Sequence, residues 1–159
     1  MADLTPTDVV IREATVDEIP EILRQRRAMY EDMDFRDPRA LDAMIKTTGP
    51  YLERALADGG FRAWLASFSG KVIGGGAVVI AGWPGHADNP DCRRATILNV
   101  YTYPDFRRRG VARTLMETML DWCRRERFHA VFLHASKDGR PLYESLGFKP
   151  ANEMRLELE

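Results

Sequence analysis

The sequence has few of the residues that build cross-links or metal sites. Two cysteines and three histidines among 159 residues leave no spacing that would hold a metal ion, so we predict none. Cys92 lies in a polar loop and Cys123 on the apolar side of a predicted helix, which predicts an exposed thiol and a small core residue. The first residues lack the basic start and apolar core of a secretion signal, which favours a cytoplasmic protein.

Long hydrophobic runs and an excess of one charge are also absent. No apolar run reaches the roughly 18 to 20 residues of a membrane span. The 23 basic and 24 acidic residues leave a formal net charge of −1, which argues against a protein that binds nucleic acid by bulk charge. A hydrophobic fraction of 45% with 30% charged residues is typical of a globular protein. The length predicts one domain over 1–159, with 1–7 a loose tail.

Apolar residues alternate between strand and helix spacing along the chain, and a capping box at Thr15–Glu18 marks the start of the first helix. The second helix is expected to be interrupted at Gly49-Pro50. The predicted elements are a strand at 9–13, helices at about 16–30 and 38–57, strands at 61–68, 71–83 and 95–103, a helix from 111, a strand at 130–134, a helix at 140–145, and a final strand through Met154, Leu156 and Leu158.

This order, β-α-α-β-β-β-α-β-α-β, predicts an α/β fold in which a mixed central sheet combines an antiparallel meander with one βαβ unit. Gly74–Gly76 lacks dinucleotide-binding spacing, so it predicts a bulge or a close backbone approach. The final strand alternates apolar and charged residues and can pair with a second copy in a homodimer.

The segment from Asn99 to Arg113, NVYTYPDFRRRGVAR, carries the clearest chemical signal. Arginines 107 to 109 precede a predicted helix, where the helix dipole already disfavours positive charge. An anion would resolve this conflict, since free N–H groups, a glycine and guanidinium groups suit a pyrophosphate. A solvated basic turn is the alternative interpretation.

Two motifs make the chain resemble the GNAT superfamily of N-acetyltransferases. Arg107, Gly110 and Ala112 fill the family's Gln/Arg-x-x-Gly-x-Gly/Ala signature, and Tyr143 followed by Gly147-Phe148 fills a second one. The resemblance covers nearly the whole chain. It implies the GNAT fold, acetyl-CoA as the acyl donor and an amine acceptor that is a small molecule or a peptide.

The resemblance also implies roles for individual residues. Coenzyme A would bind with its pyrophosphate on the main chain of the turn and helix start and its pantetheine arm along the fourth strand, near Ser136. Tyr143 would protonate the departing thiolate as general acid, while a fourth-strand N–H polarises the thioester carbonyl. The implied coenzyme-binding residues are Val100, Tyr101, Thr102, Arg107, Arg108, Arg109, Gly110, Val111, Ala112, Arg113 and Ser136.

One departure from the family concerns the general base. Some members carry a glutamate on the fourth strand, but Ala95–Val100 contains no carboxylate. An alkylammonium with a pKa of about 10 still has to lose a proton before it can attack. Two routes remain open: a water chain anchored by Asn99 or Tyr101, or a carboxylate among Glu31, Asp32 and Asp34.

Two other classes of function compete with the enzyme. A non-catalytic acyl-CoA sensor would keep RRRGVA but would not need Tyr143. A nucleic-acid-binding protein would need a broader basic surface than the net charge of −1 suggests. The acceptor would be selected by the first two helices and the 84–94 loop, which contain no readable motif.

Overall fold

The computed structural model describes residue 5 and residues 8–158, so most of the predicted loose tail at 1–7 lies outside the described residues. Short 3-10 turns at Val16–Glu18 and Pro104–Phe106 precede α1 and follow β4. The regular elements are β1 (Val10–Glu13), α1 (Ile19–Asp32), α2 (Pro38–Asp58), β2 (Phe61–Phe68), β3 (Lys71–Gly82), β4 (Arg93–Thr102), α3 (Val111–Arg125), β5 (Val131–Leu133) and α4 (Arg140–Ser145).

The five strands form one mixed sheet in the order β1-β2-β3-β4-β5. The first three pairings are antiparallel, and β4 pairs with β5 in parallel across the α3 connection. This arrangement confirms the predicted meander and the single βαβ unit. A parallel pair needs such a long crossover because a tight turn can join only antiparallel strands.

Capping groups fix the starts of the first two helices. The Thr15 N–H donates to the Glu18 carboxylate at 2.9 Å, as the capping box predicts, and the Asp37 carboxylate accepts the Arg39 N–H at 3.0 Å at the start of α2. The predicted interruption at Gly49-Pro50 is wrong, since α2 continues through Pro50. The missing proline N–H costs one helical bond, and this helix has enough packing on its apolar face to retain its form.

The glycine run in β3 lies against a bulge in β4. Pairing moves from Gly75–Tyr101 to Ala77–Leu98, so two β4 residues face Gly76, and Asn99 in the bulge has φ +56°. A Cβ at Gly76 would lie 2.8 Å from the Met119 methyl carbon, and one at Gly74 would lie 2.5 Å from the Tyr101 carbonyl. The predicted bulge and close approach are both confirmed.

Two hydrophobic clusters cover the two faces of the sheet. Successive β2 side chains alternate between them, so Trp64 packs with the α3 cluster and Leu65 with the α1–α2 cluster. Cys123 is buried in the α3 cluster and Cys92 is exposed, as predicted. Burial raises the pKa of Cys123 to about 11, so its thiol is a poor nucleophile at neutral pH. No described helix has the length and apolarity needed to cross a membrane.

The C-terminal segment differs from the prediction. Residues 149–158 form no strand, and Met154, Leu156 and Leu158 are 95%, 82% and 86% exposed. An ion pair of 2.9 Å between Arg94 and Glu153 holds the segment. The predicted final strand is not formed: in the described part of the chain, β5 pairs only with β4.

Candidate active site

A cleft opens where β4 and β5 separate. Their pairing runs from Ala95–Val131 to Ile97–Leu133, where β5 ends, while β4 continues to Thr102. Beyond Ile97, the edge of β4 that faces β5 therefore has no partner strand in the described part of the chain. Such an edge can accept an extended ligand by strand-like hydrogen bonding. The predicted pantetheine residues, Val100, Tyr101 and Thr102, lie along this edge.

The turn between β4 and α3 presents a row of free main-chain donors. Arg108 has φ +63°, and Gly110, the residue before α3, has φ +81°. In the described structure, the N–H groups of Arg108, Arg109 and Gly110 donate to no main-chain carbonyl. The first N–H groups of α3 have no acceptor within the helix either. This concave row at a helix N-terminus is suited to an anion such as pyrophosphate.

The arginines of this region have different partners. Arg107 forms an ion pair with Asp32 of α1 and donates to the Thr102 carbonyl at 2.9 Å. Arg113 donates to Ser145 of α4 at 2.7 Å. Both side chains therefore brace the turn and the helices around it. The side chains of Arg108 and Arg109, by contrast, form no ion pair with any residue that the structure describes.

Tyr143 and Ser136, which are distant from the turn in sequence, both contact Gly139 at the start of α4. A Cβ at Gly139 would lie 2.8 Å from the Tyr143 ring and 3.1 Å from Ser136 Oγ, and that oxygen accepts the Gly139 N–H at 3.1 Å. Tyr143 also packs edge-on against Phe148. Burial raises the pKa of Tyr143 above its ordinary value of 10.0, so the hydroxyl remains protonated at neutral pH.

Each of the three carboxylates considered as a general base already forms an ion pair with an arginine. Glu31 accepts from Arg27 at 3.0 Å, Asp34 from Arg36 at 2.7 Å, and Asp32 is the partner of Arg107. At the bulge, the Asn99 side-chain oxygen accepts from an arginine of α1 at 2.6 Å. Its amide NH2 is a donor that forms no hydrogen bond with any described residue.

Two interactions of α1 were not predicted from the sequence. The arginine that reaches Asn99 is Arg26, one of several charged residues in the run RQRR, where no local pattern distinguishes it. Glu21 accepts a hydrogen bond from the Tyr103 hydroxyl at 2.8 Å, and burial raises the pKa of Tyr103 to about 12. Both contacts join residues more than 70 positions apart, so helical periodicity carries no signal for them.

A sheet whose parallel pair separates beside a donor-lined turn is the arrangement that the sequence resemblance led us to expect. The comparison with family models agrees: residues 21–148 match the model described as the Acetyltransferase (GNAT) family. The chain therefore belongs to the GNAT acetyltransferase family, as the two sequence motifs predicted. No protein of curated function matches the chain.

Solved structures resemble the whole chain. A GCN5-related N-acetyltransferase from Ralstonia eutropha JMP134 is 30% identical with a TM-score of 0.87, covering 94% of this chain and 98% of that one. A predicted acetyltransferase from Clostridium acetobutylicum, solved with acetyl-CoA, is 26% identical with a TM-score of 0.84, covering 95% and 96%. A soil-metagenome aminoglycoside acetyltransferase in complex with sisomicin is 18% identical, with a TM-score of 0.66 and coverage of 96% and 95%, and shares the fold.

Proposed function

We propose that the protein is a cytoplasmic N-acetyltransferase that transfers the acetyl group of acetyl-CoA to a primary amine of a small molecule or peptide. The observation that carries this proposal is the unpartnered β4 edge beyond Ile97, which leads to the free N–H groups of the turn. Tyr143 of α4 is proposed to face this edge. A solved relative that is 26% identical to this chain over nearly its full length contains acetyl-CoA, which supports the choice of donor.

The main chain is proposed to provide most of the coenzyme binding. The N–H groups of Arg108 to Ala112 would hold the pyrophosphate, with the free side chains of Arg108 and Arg109 adding charge-assisted hydrogen bonds. The pantetheine arm would lie along Val100 to Thr102, extending the sheet by one strand-like segment. Ser136 would face that arm from the opposite wall.

The reaction is proposed to be direct attack within a ternary complex. The amine nitrogen attacks the thioester carbonyl carbon, and a β4 N–H stabilises the developing oxyanion. The carbon–sulfur bond then breaks, and the departing thiolate takes the proton of the Tyr143 hydroxyl. Because the nearby acids Glu31, Asp32 and Asp34 are ion-paired, the proton of the amine would leave through water held by the Asn99 amide.

We also propose that two copies associate through the C-terminal segment. Each copy has an unpaired β5 edge beside a groove of about 1150 Å³ and an extended segment with exposed Met154, Leu156 and Leu158. A second copy supplies the missing strand for each edge, and the exchange is reciprocal about a two-fold axis. The pairing would bury the alternating apolar side chains that one copy leaves in water.

The coenzyme site can be tested by thermal unfolding. Acetyl-CoA at about 100 times its dissociation constant should stabilise the fold by about 2.7 kcal/mol, or about 5 to 11 °C. Gly110→Leu should abolish this shift, because a side chain there would occupy the approach of the pyrophosphate. Gly70→Leu is the matched control: Gly70 also has positive φ, +76°, with open space around it.

Activity is measured as thiol release from acetyl-CoA with a library of amines. Acetylation of at least one amine is expected, and it should be lost in Gly110→Leu and kept in Gly70→Leu. If acetyl-CoA raises the melting temperature of the wild type but no amine is acetylated, the protein would be an acyl-CoA sensor and not an enzyme. If no acyl-CoA raises the melting temperature, both the acetyltransferase and the sensor proposals would be rejected.

A further inference from the structure

Arg26 is a half-buried cation at the bulge of β4. It extends from α1 and donates to the Asn99 side-chain oxygen at 2.6 Å, while a second guanidinium nitrogen lies 3.4 Å from the Tyr30 hydroxyl. The guanidinium carbon lies 5.1 Å from the centre of the Tyr30 ring. Its Nε is buried and has no hydrogen-bond partner. All of its partners are neutral.

The neighbouring arginines, by contrast, have acidic partners. Arg24 is paired with Glu21, Arg27 with Glu31 and Asp42, and Arg107 with Asp32. Arg26 forms no ion pair with any described residue, although α1 itself contains three acids. A guanidinium removed from water without a counter-charge is unfavourable, so an arrangement that assigns every nearby acid to another cation calls for an anion from outside the chain.

The position of Arg26 connects it to the reaction. Asn99, its main partner, is only 6% exposed and directly precedes Val100, where the proposed pantetheine edge begins. A ligand group held by Arg26 would therefore lie beside the end of the cleft where the acyl carbonyl is expected. The weak 3.4 Å contact with Tyr30 is easily exchanged for a stronger, charge-assisted bond.

Resting on the proposed function, we propose that the acceptor carries a carboxylate close to its amine, as a free amino acid does, and that Arg26 binds this carboxylate. A single planar guanidinium matches a planar carboxylate in a two-bond fork. A phosphate dianion would call for further donors, and a polycationic acceptor would meet Arg26 with like charge. Arg26 would thus select the acceptor without taking part in proton transfer.

The test compares matched acceptors of the wild-type protein. Each free amino acid is assayed with acetyl-CoA beside its C-terminal amide and its decarboxylated amine, which bracket it in basicity. The free amino acid should be preferred by about 10- to 100-fold in kcat/KM, the usual contribution of a charge-assisted hydrogen bond. Amides or simple amines acetylated equally well, or a preference for phosphoethanolamine or a polyamine, would overturn the inference while leaving the enzyme intact.

Variants then assign the preference to Arg26. Arg26→Gln should bring the preference close to one by raising KM for the amino acid, and Arg26→Lys should keep part of it. Arg54→Gln, which changes an exposed arginine of α2 without an ion pair among the described residues, should keep all of it. An equal loss of kcat for every acceptor in Arg26→Gln, with the preference retained, would show that Arg26 only braces Asn99.

A binding measurement separates the two proposals if no amine is acetylated. With coenzyme A saturating, free amino acids should raise the melting temperature of the wild type but not of Arg26→Gln. That result would retain the carboxylate site and reject the transfer reaction. No rise with any carboxylate would reject the site as well.

Discussion

The part of the chain up to Cys123 and the part after it differ in how deeply their residues are buried. Every buried residue that the structure describes lies in the first part, which supplies β1 to β4 and three helices around two hydrophobic clusters. The second part, 124–158, contains no buried residue, yet it carries Ser136 and Tyr143 of the proposed site. The two parts therefore differ in how much they contribute to stability, and mutations in them should have different consequences.

The sharpest test of this division is Tyr143→Phe. Turnover on a responsive amine should fall by about 10²- to 10⁴-fold, toward the lower figure because thiolate can leave unprotonated. KM for acetyl-CoA should change little, since the proton is needed only as the carbon–sulfur bond breaks. The free energy of unfolding should stay within about 0.5 kcal/mol of wild type.

Tyr51→Phe, which removes an exposed hydroxyl on α2, is the matched control and should leave turnover unchanged. Full activity in Tyr143→Phe, with chemistry shown to limit the rate, would remove this hydroxyl from the mechanism.

The opposite result is expected in the first part. Leu115 is fully buried in α3, so Leu115→Ala should reduce the free energy of unfolding by about 2 to 5 kcal/mol. Leu142→Ala, in half-buried α4, should cost only about 1 to 2 kcal/mol because less area is returned to water. Denaturant titration measures both values, and equal losses would contradict the comparison.

A smaller effect concerns Glu21, which joins α1 to the end of β4. Burial works to raise the pKa of Glu21, but hydrogen bonds from Gln25, Arg24 and Tyr103 prevail and lower it below 4.5. The stabilisation is therefore present above pH 4.5 and is lost as the pH falls through the lower, folded-state value. Glu21→Gln should cost about 1 to 2 kcal/mol at pH 7 and much less at pH 3. A constant difference across this range would reject the assignment.

The smallest effect on the stability of a single chain is expected at the C-terminus. Replacing Met154, Leu156 and Leu158 by serine should change the unfolding free energy of the dilute protein by no more than about 0.5 kcal/mol. Sedimentation should show wild-type dimers and mutant monomers. Serine at Asp17, Glu53 and Lys46, which are exposed elsewhere, should leave the dimer intact, and a monomeric wild type would refute the pairing.

The sequence predicted the elements of the first part well because periodicity is strong where one face is buried. The strand bounds at 61–68 agree with the structure, and Gly74–Gly76 correctly predicted the bulge. Gly49-Pro50 was misjudged because the tertiary packing of a long helix can outweigh one missing hydrogen bond.

The candidate site was predictable where a local motif exists and not elsewhere. The turn RRRGVA predicts an anion site by composition and position, but the sequence does not reveal that Arg107 pairs with Asp32 while Arg108 and Arg109 form no ion pair with any described residue. The contact between Arg26 and Asn99 spans 73 positions. The predicted final strand failed for a related reason. Alternating apolar and charged residues indicate the two faces of a strand, but they do not show whether a partner strand pairs with it.

The three glycines of β3 also bear on how this enzyme could be evolved for new acceptors. Side chains at these successive positions would meet three different elements: the Tyr101 carbonyl of β4, the Gln25 side chain of α1 and Met119 of α3. A mutational scan should therefore find no tolerated side chain at these three positions, whereas the mostly exposed 84–94 loop should accept many. Libraries that hold the glycines constant and vary α1 and that loop would leave the scaffold unchanged while sampling new substrate preferences.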